Sequence, residues 1–585
     1  MKRHISLLVM TILSTASFVR GGAPSILRRA RANAAFISPH RVHLAAPLPR
    51  QQVRPASSTP TTGAAGLRAA DASREGWSRQ ALRWGWGWNP QIKTWTNWHN
   101  SLRVTPEYFD LPETRDDILA ILKDAREKGQ KLKVVGTGCS PNTMAVCQQR
   151  MLSTDNYNKI ISVDEQKGTV RVQAGVTLAQ LNEFLAEHNL GLSVLSSISE
   201  QSMGGALACA IHGTGGKFPC MSDYIEALEL ITPRGEVIEC SATQNADIFK
   251  AALCHVGALG VVSEMTIKCE PAFKLRSSQR PVPLEDVLSN IDERVGTAEH
   301  YRFWWFPHTD MCIEWKANRV PIYTPNKSEG DWVANQFLIF NYVLETVLWL
   351  TRFFPPSAQF VNQVCRAVAF NQVSDVVDRS DKVFNFDCLF RQYVDEWSIP
   401  RGNCAEAVRR LKKFIESRPE WGVHFPVEVR FSRADDIWLS PCSGQDTCWI
   451  GVIMYRPWNA EPPPFWREYF QGFEEIMDSL GGRPHWAKEH KLTYKDLYHK
   501  YPKFREWCQL RDKVDPDGMM VNPYVEKIID QERPSWREVL RDTRRITGKL
   551  FDAPDQWPAI PGRAAPSRPR NETAAGAPAA AAVAR

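Results

Sequence analysis

The sequence predicts an α+β fold whose central part forms two domains. Between 101 and 272, short strand-like segments alternate with Gly-rich turns, and a helix with Thr114 as its cap precedes the first of these strands. From 273 to 480 the pattern changes to longer alternating strands and amphipathic helices. The 585 residues, 43% hydrophobic and 23% charged, allow several domains and have the composition of a soluble globular protein.

Residues 1–70 are predicted to be a targeting presequence. They contain ten Lys and Arg and no Asp or Glu, and an apolar stretch follows the charged start. This composition fits a secretory signal followed by a transit-type segment, a single mitochondrial presequence, or, third, a membrane anchor. We therefore expect an organelle-targeted, membrane-associated protein that reaches the mitochondrion, or the ER or plastid by a signal-peptide-led route. The rest of the chain is slightly acidic, which removes the electrostatic case for nucleic-acid binding.

Three further segments lie outside the two-domain pattern. Residues 71–100 form a Trp-rich entry segment, whose rings are predicted to pack in the fold, and residues 553–585 form an Ala/Pro-rich tail that is predicted to be disordered. Phe337–Phe354 contains only two charged residues. Because its insertion into a bilayer is close to break-even, we expect a helix that is buried in the fold or lies on a membrane surface.

The sequence also predicts the strands between which the Gly-rich turns lie. They are Lys131–Val135, Thr169–Ala174, Glu236–Glu239, a strand that opens after His255, Arg302–Pro307 and Phe384–Phe390. The fourteen cysteines are scattered, without a C-x-x-C pair or a Cys/His cluster, so no metal site is predicted.

The Gly-rich turns are the candidate ligand-binding loops. Their residues are Val135, Gly136, Thr137, Gly138, Cys139, Ser140 and Pro141; Ser196, Ser197, Ser202, Gly204 and Gly205, continuing to His212, Gly213, Thr214 and Gly215; and Gly260, Val261 and Val262. Turns with small side chains expose backbone N–H groups that can hold a phosphate. One G-x-G after a strand is weak evidence, but the repeated pattern favours a platform for an extended ligand such as a dinucleotide.

Two pairs of charged or polar residues are candidates for chemistry. His485 and Lys488 follow a Gly-Gly turn, and their spacing predicts one face of a helical turn, where they would stabilise a developing anion. Glu428 and Arg430 are two residues apart on a predicted strand and therefore share a face. Taken alone, the first pair is typical of a solvated turn and the second of a surface ion pair.

Taken in order, five segments resemble the sugar-1,4-lactone oxidoreductases, the oxidases and dehydrogenases of gulono-, arabinono- and galactono-1,4-lactones. The segments are 134–141, 196–205, 212–215, 424–431 and 485–488. The resemblance extends from about Trp95 to Lys527, and in the second half it is greatest to the animal L-gulonolactone oxidases.

The resemblance implies a vanillyl-alcohol-oxidase-like, PCMH-type FAD-binding domain at 101–272. It also implies an α+β cap domain of the aldonolactone oxidase type at 273–480 and a return to the FAD domain at 481–535. The implied reaction is the last step of ascorbate synthesis, or of the synthesis of an ascorbate analogue: the lactone C2 transfers a hydride to flavin N5, and O2 or a cytochrome c-type protein takes the electrons. Glu428 and Arg430 would then bind the lactone, and Lys488 or His485 would offset negative charge on the flavin.

Two positions depart from the family pattern. Cys139 stands where the animal and fungal oxidases have the histidine that links covalently to FAD, so the resemblance implies dissociable FAD, with a cysteinyl link as the alternative. Ser196 stands where the oxidases have glycine and the plant dehydrogenase has alanine, which leaves the acceptor open between O2 and cytochrome c. Two other functions stay open: an alditol or oligosaccharide oxidase of the same fold, and a non-catalytic, membrane-associated FAD-binding protein.

Overall fold

The structure is a computed structural model that describes residues 86–547 except 92, 329–342, 370–372, 386–389 and 425. The presequence at 1–70, the start of the Trp-rich segment and the tail at 553–585 lie outside the described residues. The first helix is α1 (Arg115–Glu127), and Thr114 caps it in a capping box with Asp117, as the sequence predicts.

The first half of the described chain alternates short strands with helices. Its strands are β1 (Gly87–Asn89), β2 (Thr94–Thr96), β3 (Arg103–Val104), β4 (Tyr108–Asp110), β5 (Leu132–Val135), β6 (Arg150–Ser153), β7 (Ile160–Asp164), β8 (Thr169–Gln173), β9 (Leu190–Gly191), β10 (Ile225–Ile231), β11 (Val237–Ser241), β12 (Val261–Lys268) and β13 (Glu270–Pro271). After α1, its helices are α2 (Leu178–Glu187), α3 (Met203–Ala208) and α4 (Ala246–Ala252).

These strands form two main sheets. A three-stranded parallel sheet has the order β4-β6-β5, and a five-stranded antiparallel sheet has the order β11-β10-β12-β8-β7. The strands predicted at Lys131–Val135, Thr169–Ala174 and Glu236–Glu239 correspond to β5, β8 and β11, and the strand expected after His255 is β12. The predicted Gly-rich turn at 135–141 therefore follows β5 and the one at 260–262 leads into β12, whereas the segments 196–205 and 212–215 lie before and after the helix α3.

The second half is built on one larger sheet. Its strands are β14 (Lys274–Pro283), β15 (His300–Trp305), β16 (Met311–Val320), β17 (Ser374–Arg379), β18 (Gln392–Pro400), β19 (Val427–Ser432), β20 (Thr447–Tyr455) and β21 (Arg483–Pro484). They pair in the order β17-β14-β16-β15-β19-β20-β18-β21. Strand β15 confirms the prediction at Arg302–Pro307. The strand predicted at Phe384–Phe390 is wrong at its start, because Phe384 ends a helix, and 386–389 lie outside the described residues.

The helices of the second half cover this sheet and then lead back to the first half. They are α5 (Leu284–Leu288), α6 (Ile291–Gly296), α7 (Ser357–Ala369), α8 (Ser380–Phe384), α9 (Cys404–Glu416), α10 (Trp466–Ser479), α11 (Tyr494–Leu497), α12 (Phe504–Val514), α13 (Pro523–Ile529) and α14 (Trp536–Thr547). Met519 and Met520 pack against α1 and β5, and the Leu132 N–H donates to the Met519 carbonyl over 2.9 Å.

The apolar segment predicted at 337–354 is partly described. Its residues 343–351 are helical, and Leu344, Val347 and Leu348 are buried in one cluster with Phe306. This part confirms the expectation of a helix packed in the fold. Among the residues that the structure covers, every helix is too short or too polar to cross a bilayer.

Candidate active site

Three of the predicted loops meet where the two halves of the molecule join. A Cβ added to Gly136 would lie 2.0 Å from the Ser202 hydroxyl oxygen, and one added to Gly213 would lie 2.6 Å from the Leu195 carbonyl. Ser202 also bridges to Thr177 at the end of the five-stranded sheet. The loops are therefore in close backbone contact, and glycine is required at these two positions because the protein itself fills the space.

Several predicted loop residues are bonded to, or packed against, neighbouring strands of the protein. The Thr214 hydroxyl donates to the Tyr301 carbonyl and accepts from the Phe431 N–H, and the Gly215 N–H donates to the Phe431 carbonyl over 2.8 Å. The segment at 212–215 is thus bonded to β15 and β19. A Cβ at Gly260 would lie 2.3 Å from the Ile231 carbonyl, so this glycine permits close packing of two strands.

The Trp-rich segment packs against the loop at 136–141. A Cβ on Gly138 would lie 2.8 Å from the Trp95 ring, and His99 Nε2 lies 3.2 Å from the Cys139 carbonyl. Burial lowers the pKa of His99 to about 3, so this ring is neutral. Trp95 and His99 belong to the scaffold, which agrees with the packing role predicted for the Trp-rich segment.

Cys139 lies half-buried in this loop, and its thiol is within 3.5 Å of the Thr137 hydroxyl. Burial raises the pKa of the Cys139 thiol to about 12. The thiol is therefore protonated at neutral pH, and a protonated thiol is a poor nucleophile.

His485 and Lys488 lie in a β-turn, which corrects the predicted helical turn. The Lys488 N–H donates to the His485 carbonyl over 2.9 Å, directly after the short strand β21. Helix α10 ends before it in a left-handed Gly481, with the Gly482 N–H bonded to the Met477 carbonyl over 2.9 Å. This αL termination turns the chain back into the large sheet, where β21 pairs with β18.

The same turn is bonded to the first Gly-rich loop. Ser140 Oγ donates to the Ala487 carbonyl over 2.6 Å, and Asn142 Nδ2 donates to the carbonyls of Trp486 and Lys488 over 2.6 and 2.9 Å. Lys488 Nζ has no hydrogen-bond or ion-pair partner among the described residues. Asn142 was not predicted as a site residue, because its partners are more than 340 positions away in sequence.

The imidazole of His485 is neutral. Burial lowers its pKa to about 3, and nearby Lys488 lowers it further against the opposing effect of Glu396. Nδ1 accepts a hydrogen bond from the Ala487 N–H over 3.1 Å, which assigns the ring proton to Nε2. His485, one of the two residues predicted to supply positive charge, therefore carries none at neutral pH.

Glu428 and Arg430 share one face of β19, as predicted; Glu428 has partners on the neighbouring strand β15, and Arg430 bonds to Glu428 and to a loop. Trp304 Nε1 donates to Glu428 Oε1 over 2.9 Å, and Arg302 Nη1 lies 3.8 Å from the same oxygen. The Arg430 guanidinium bonds to Glu428 Oε2 and to the Ser197 hydroxyl. Burial alone raises the pKa of Glu428, but the two guanidinium groups outweigh it and lower the pKa, so the carboxylate is ionised.

A second acidic residue, Glu396 on β18, completes the cluster. Its Oε1 lies 3.2 Å from His212 Nε2, and its carbonyl accepts from the His485 N–H over 2.9 Å. The His212 ring stacks on Trp449 with centroids 3.7 Å apart. Burial raises the pKa of Glu396, but His212, which is bonded to it, and the nearby His485 and Lys488 lower it more strongly. The sequence analysis missed Glu396, although a charged residue inside an apolar strand was a visible signal.

Two clusters contain side chains of the types that can bind a metal ion. Potential ligand atoms of His212, Glu396 and His485 lie within 4.8 Å of one another, and a second set comprises Cys220, Asp435 and Cys442. In the first set, the Ala487 N–H occupies Nδ1 of His485 and the ring proton occupies Nε2. The cluster is therefore explained by hydrogen bonds and ion pairs alone.

The arrangement suits a flat, redox-active cofactor beside a hydroxylated substrate. Arg430 bonds to the Ser197 hydroxyl in one Gly-rich loop, and the turn that carries Lys488 bonds to another through Ser140, so the charged pair and this turn both lie against the loops. The residues present thus fit FAD and define an FAD-dependent oxidoreductase as the class of protein.

Comparisons with known proteins agree with this class. Residues 106–241 match a family model described as FAD binding domain, and residues 265–528 match one described as D-arabinono-1,4-lactone oxidase. Among solved structures, a cholesterol oxidase from B. sterolicum aligns with a TM-score of 0.60 over 75% of this chain and 96% of that chain, at 16% identity. This likeness confirms the predicted α+β, PCMH-type FAD-binding fold.

Sequence relatives specify the family. L-Gulonolactone oxidase of Scyliorhinus torazame is 40% identical over 432 residues, which is 74% of this chain and 97% of the relative. The Bos taurus enzyme of the same name is 38% identical over 74% of this chain and 97% of its own length. L-Gulono-1,4-lactone dehydrogenase of Mycobacterium tuberculosis is 32% identical over 74% of this chain and 99% of its own length. The chain belongs to the sugar-1,4-lactone oxidoreductase family.

Proposed function

We propose that this chain oxidises an aldono-1,4-lactone at C2, as the last step in making ascorbate or an analogue of it. The substrates considered are L-gulono-, L-galactono- and D-arabinono-1,4-lactone. The observation that carries the proposal is the face of the large sheet on which Glu428 and Arg430 lie paired. The pair is bonded to a Gly-rich loop through Ser197, and His485 lies near both Arg430 and Lys488. An ionised carboxylate and a guanidinium are suited to bind neighbouring hydroxyl and carbonyl groups of a lactone.

Each residue has a separate role in this proposal. Bound FAD supplies the acceptor for the hydride from C2. Glu428 accepts a hydrogen bond from a lactone hydroxyl, and Arg430, held by Ser197, donates to the lactone oxygens. Lys488 places its ammonium where negative charge develops, and the neutral His485 donates from Nε2. The backbone of the loops at 135–141, 196–205, 212–215 and 260–262 would hold the cofactor.

The experiment that tests the proposal is reduction of the bound flavin without oxygen. Each of the three lactones is mixed anaerobically with the purified protein, and bleaching of the flavin absorbance is recorded. Glu428→Gln and Arg430→Ala are expected to slow bleaching at least about tenfold, because each removes a charged hydrogen-bond partner. Arg433→Ala, an exposed position on the same segment, serves as the control. Failure of all three lactones to bleach the flavin would reject the proposal.

The electron acceptor in this proposal is O2 or a cytochrome c-type protein. The Ser196 hydroxyl donates within its own loop, to the Ile198 carbonyl and to Gln201 Oε1 over 2.9 and 2.8 Å, so its side chain is fixed in one position. Measuring hydrogen peroxide release against cytochrome c reduction in one lactone-driven assay distinguishes the acceptors.

We also propose that FAD is bound without a covalent link. A thiolate is required to attack the flavin methyl carbon, whereas the half-buried Cys139 thiol is protonated. This protonation supports non-covalent binding of FAD. The cysteinyl alternative would leave the yellow colour on the denatured chain.

For localisation, we propose that residues 1–70 direct the protein to an organelle and that the mature protein is membrane-associated. The acid-free composition of this segment supports the targeting role. Fusion of residues 1–70 to a fluorescent protein shows to which organelle the segment directs its cargo. Carbonate extraction of the organelle fraction tests whether the mature protein is associated with the membrane.

A further inference from the structure

Cross-strand register arranges one row of side chains across the centre of the large sheet. Trp304 on β15 is paired with Glu428 on β19, Glu428 with Gly451 on β20, and Gly451 with Glu396 on β18. Residues directly opposite one another on neighbouring strands point to the same face. Two carboxylates therefore stand on one face, separated by one strand that has no side chain at that position.

The absence of a side chain at Gly451 is not required by the fold. Its φ lies outside the left-handed region, so the backbone would accept any residue. A Cβ added there would have its three nearest neighbours at 3.8 to 3.9 Å, in ordinary van der Waals contact, and all three are atoms of Glu396. Gly136 and Gly213, in contrast, would clash with neighbouring groups. Glycine at 451 therefore leaves space that the protein does not use.

The groups around this space are suited to a small polyhydroxylated ring. Glu428 and Arg430 lie on one side, and Glu396 lies on the other, fixed by His212 at 3.2 Å. Adjacent strands are about 4.8 Å apart, so the two carboxylate-bearing strands are about 10 Å apart, a span that a five-membered lactone with its hydroxyl groups fills.

We propose that the lactone ring lies over Gly451, and that Glu396 is a further substrate-binding residue that accepts a hydrogen bond from a lactone hydroxyl on the side opposite Glu428. This inference rests on the proposed lactone oxidation. In this arrangement Glu396 determines which lactone is preferred, because it contacts the part of the sugar that Glu428 and Arg430 do not reach.

Gly451→Ala tests the inference directly, because the added methyl group fits the protein but occupies the space of the ring. The KM for L-gulono-1,4-lactone is expected to rise about tenfold or more. The Kd of a 2-deoxy-1,4-lactone, which lacks the hydroxyl to be oxidised, is expected to rise equally in a flavin absorbance titration. Flavin content and melting temperature are expected to match wild type. Gly402→Ala, at an exposed glycine with nothing within 4 Å of the added Cβ, is the matched control.

Glu396→Gln is the second variant and keeps the size of the side chain. It is expected to raise KM about tenfold through loss of a charged acceptor, and to change the ratio of kcat/KM between L-gulono- and L-galactono-1,4-lactone. Unchanged KM in both variants, with wild-type flavin still bleached by lactone, would overturn this inference alone. If no lactone bleaches the wild-type flavin, the proposed function and this inference fail together.

Discussion

Glu428 is held in place by side chains from two strands before any ligand binds. Trp304 donates to one oxygen, Arg430 bonds to the other, and Arg302 lies 3.8 Å from the first. Burial lowers the pKa of Arg302 to about 10, which still leaves it charged at neutral pH. A carboxylate with two cationic neighbours and an indole donor has one favoured rotamer, so its orientation is set by the protein.

Trp304→Phe removes the indole donor and keeps an aromatic ring. Because Glu428 then loses one of the bonds that orient it, kcat/KM for the lactone is expected to fall about tenfold. Trp305→Phe is the matched control, since the Trp305 indole donates to the Thr309 carbonyl and its side chain lies on the other face of the same strand. Steady-state kinetics of the two variants make the comparison, and equal rates for both would contradict the role given to Trp304.

Cys139 gives a prediction about the cofactor. Since its thiol is protonated at neutral pH, acid or detergent denaturation is expected to release all of the flavin into the supernatant, measured by absorbance after filtration. Cys139→Ala is expected to retain the flavin content of wild type. Colour that stays with the denatured wild-type chain and is lost from Cys139→Ala would show a cysteinyl link instead.

At the scale of elements, a turn and a loop from opposite ends of the chain form one unit. The turn at 485–488 is bonded to the loop at 136–142 through Ser140 and Asn142. The amide of Asn142 donates twice into the turn and accepts from Ser140 Oγ and the Met144 N–H. This bonding fixes Lys488 relative to Cys139.

Asn142→Ala breaks these contacts: the Lys488 carbonyl loses the Asn142 donor, and the buried Trp486 carbonyl keeps only the Tyr524 hydroxyl. The free energy of unfolding is expected to fall by about 1–3 kcal/mol, and kcat is expected to fall because Lys488 is no longer fixed. Asn158→Ala removes an exposed, local amide bond to the Asp155 carbonyl and is expected to change stability by less than about 0.5 kcal/mol. Denaturant titration and turnover assays measure both effects; wild-type values for Asn142→Ala would contradict the pinning role.

At the scale of the whole molecule, a pair of buried acids links the large sheet to α10. Asp395 on β18 and Glu474 on α10 are both buried. Burial, and then the charge of Glu474, raise the pKa of Asp395 well above its ordinary value, and burial raises the pKa of Glu474. Because both are raised, their contribution to stability is complete below the ordinary carboxyl pKa and is lost as pH rises through the raised values.

Asp395→Asn therefore changes the pH dependence of stability. As pH rises above the ordinary carboxyl pKa, these two acids are expected to lower the melting temperature of wild type, and this contribution is expected to be smaller in the variant, which cannot ionise at this position. Asp436→Asn, at an exposed carboxylate paired with Lys250, is expected to keep the wild-type slope. Thermal denaturation at a series of pH values above the ordinary carboxyl pKa measures the slopes, and parallel curves for wild type and Asp395→Asn would contradict the assignment.

Local signals in the sequence determined the fold class, the family and five of the six strands that were predicted, namely β5, β8, β11, β12 and β15. The capping residue Thr114, the glycines at strand ends and the two-residue spacing of Glu428 and Arg430 are short-range features, and short-range geometry fixes what they do. The low charge of 337–354 likewise predicted a helix that is buried or lies on a membrane surface, and its described part at 343–351 is helical and packed in the fold.

Only the tertiary structure decided which of these residues meet and which are charged. Glu396, Gly451 and Trp304 join the candidate site through strand register, which depends on pairing between segments more than 20 residues apart. The protonation of Cys139 and the neutrality of His485 follow from burial, which the whole fold creates. Sequence spacing sets the face on which a side chain lies, whereas pairing and burial set its neighbours and its charge.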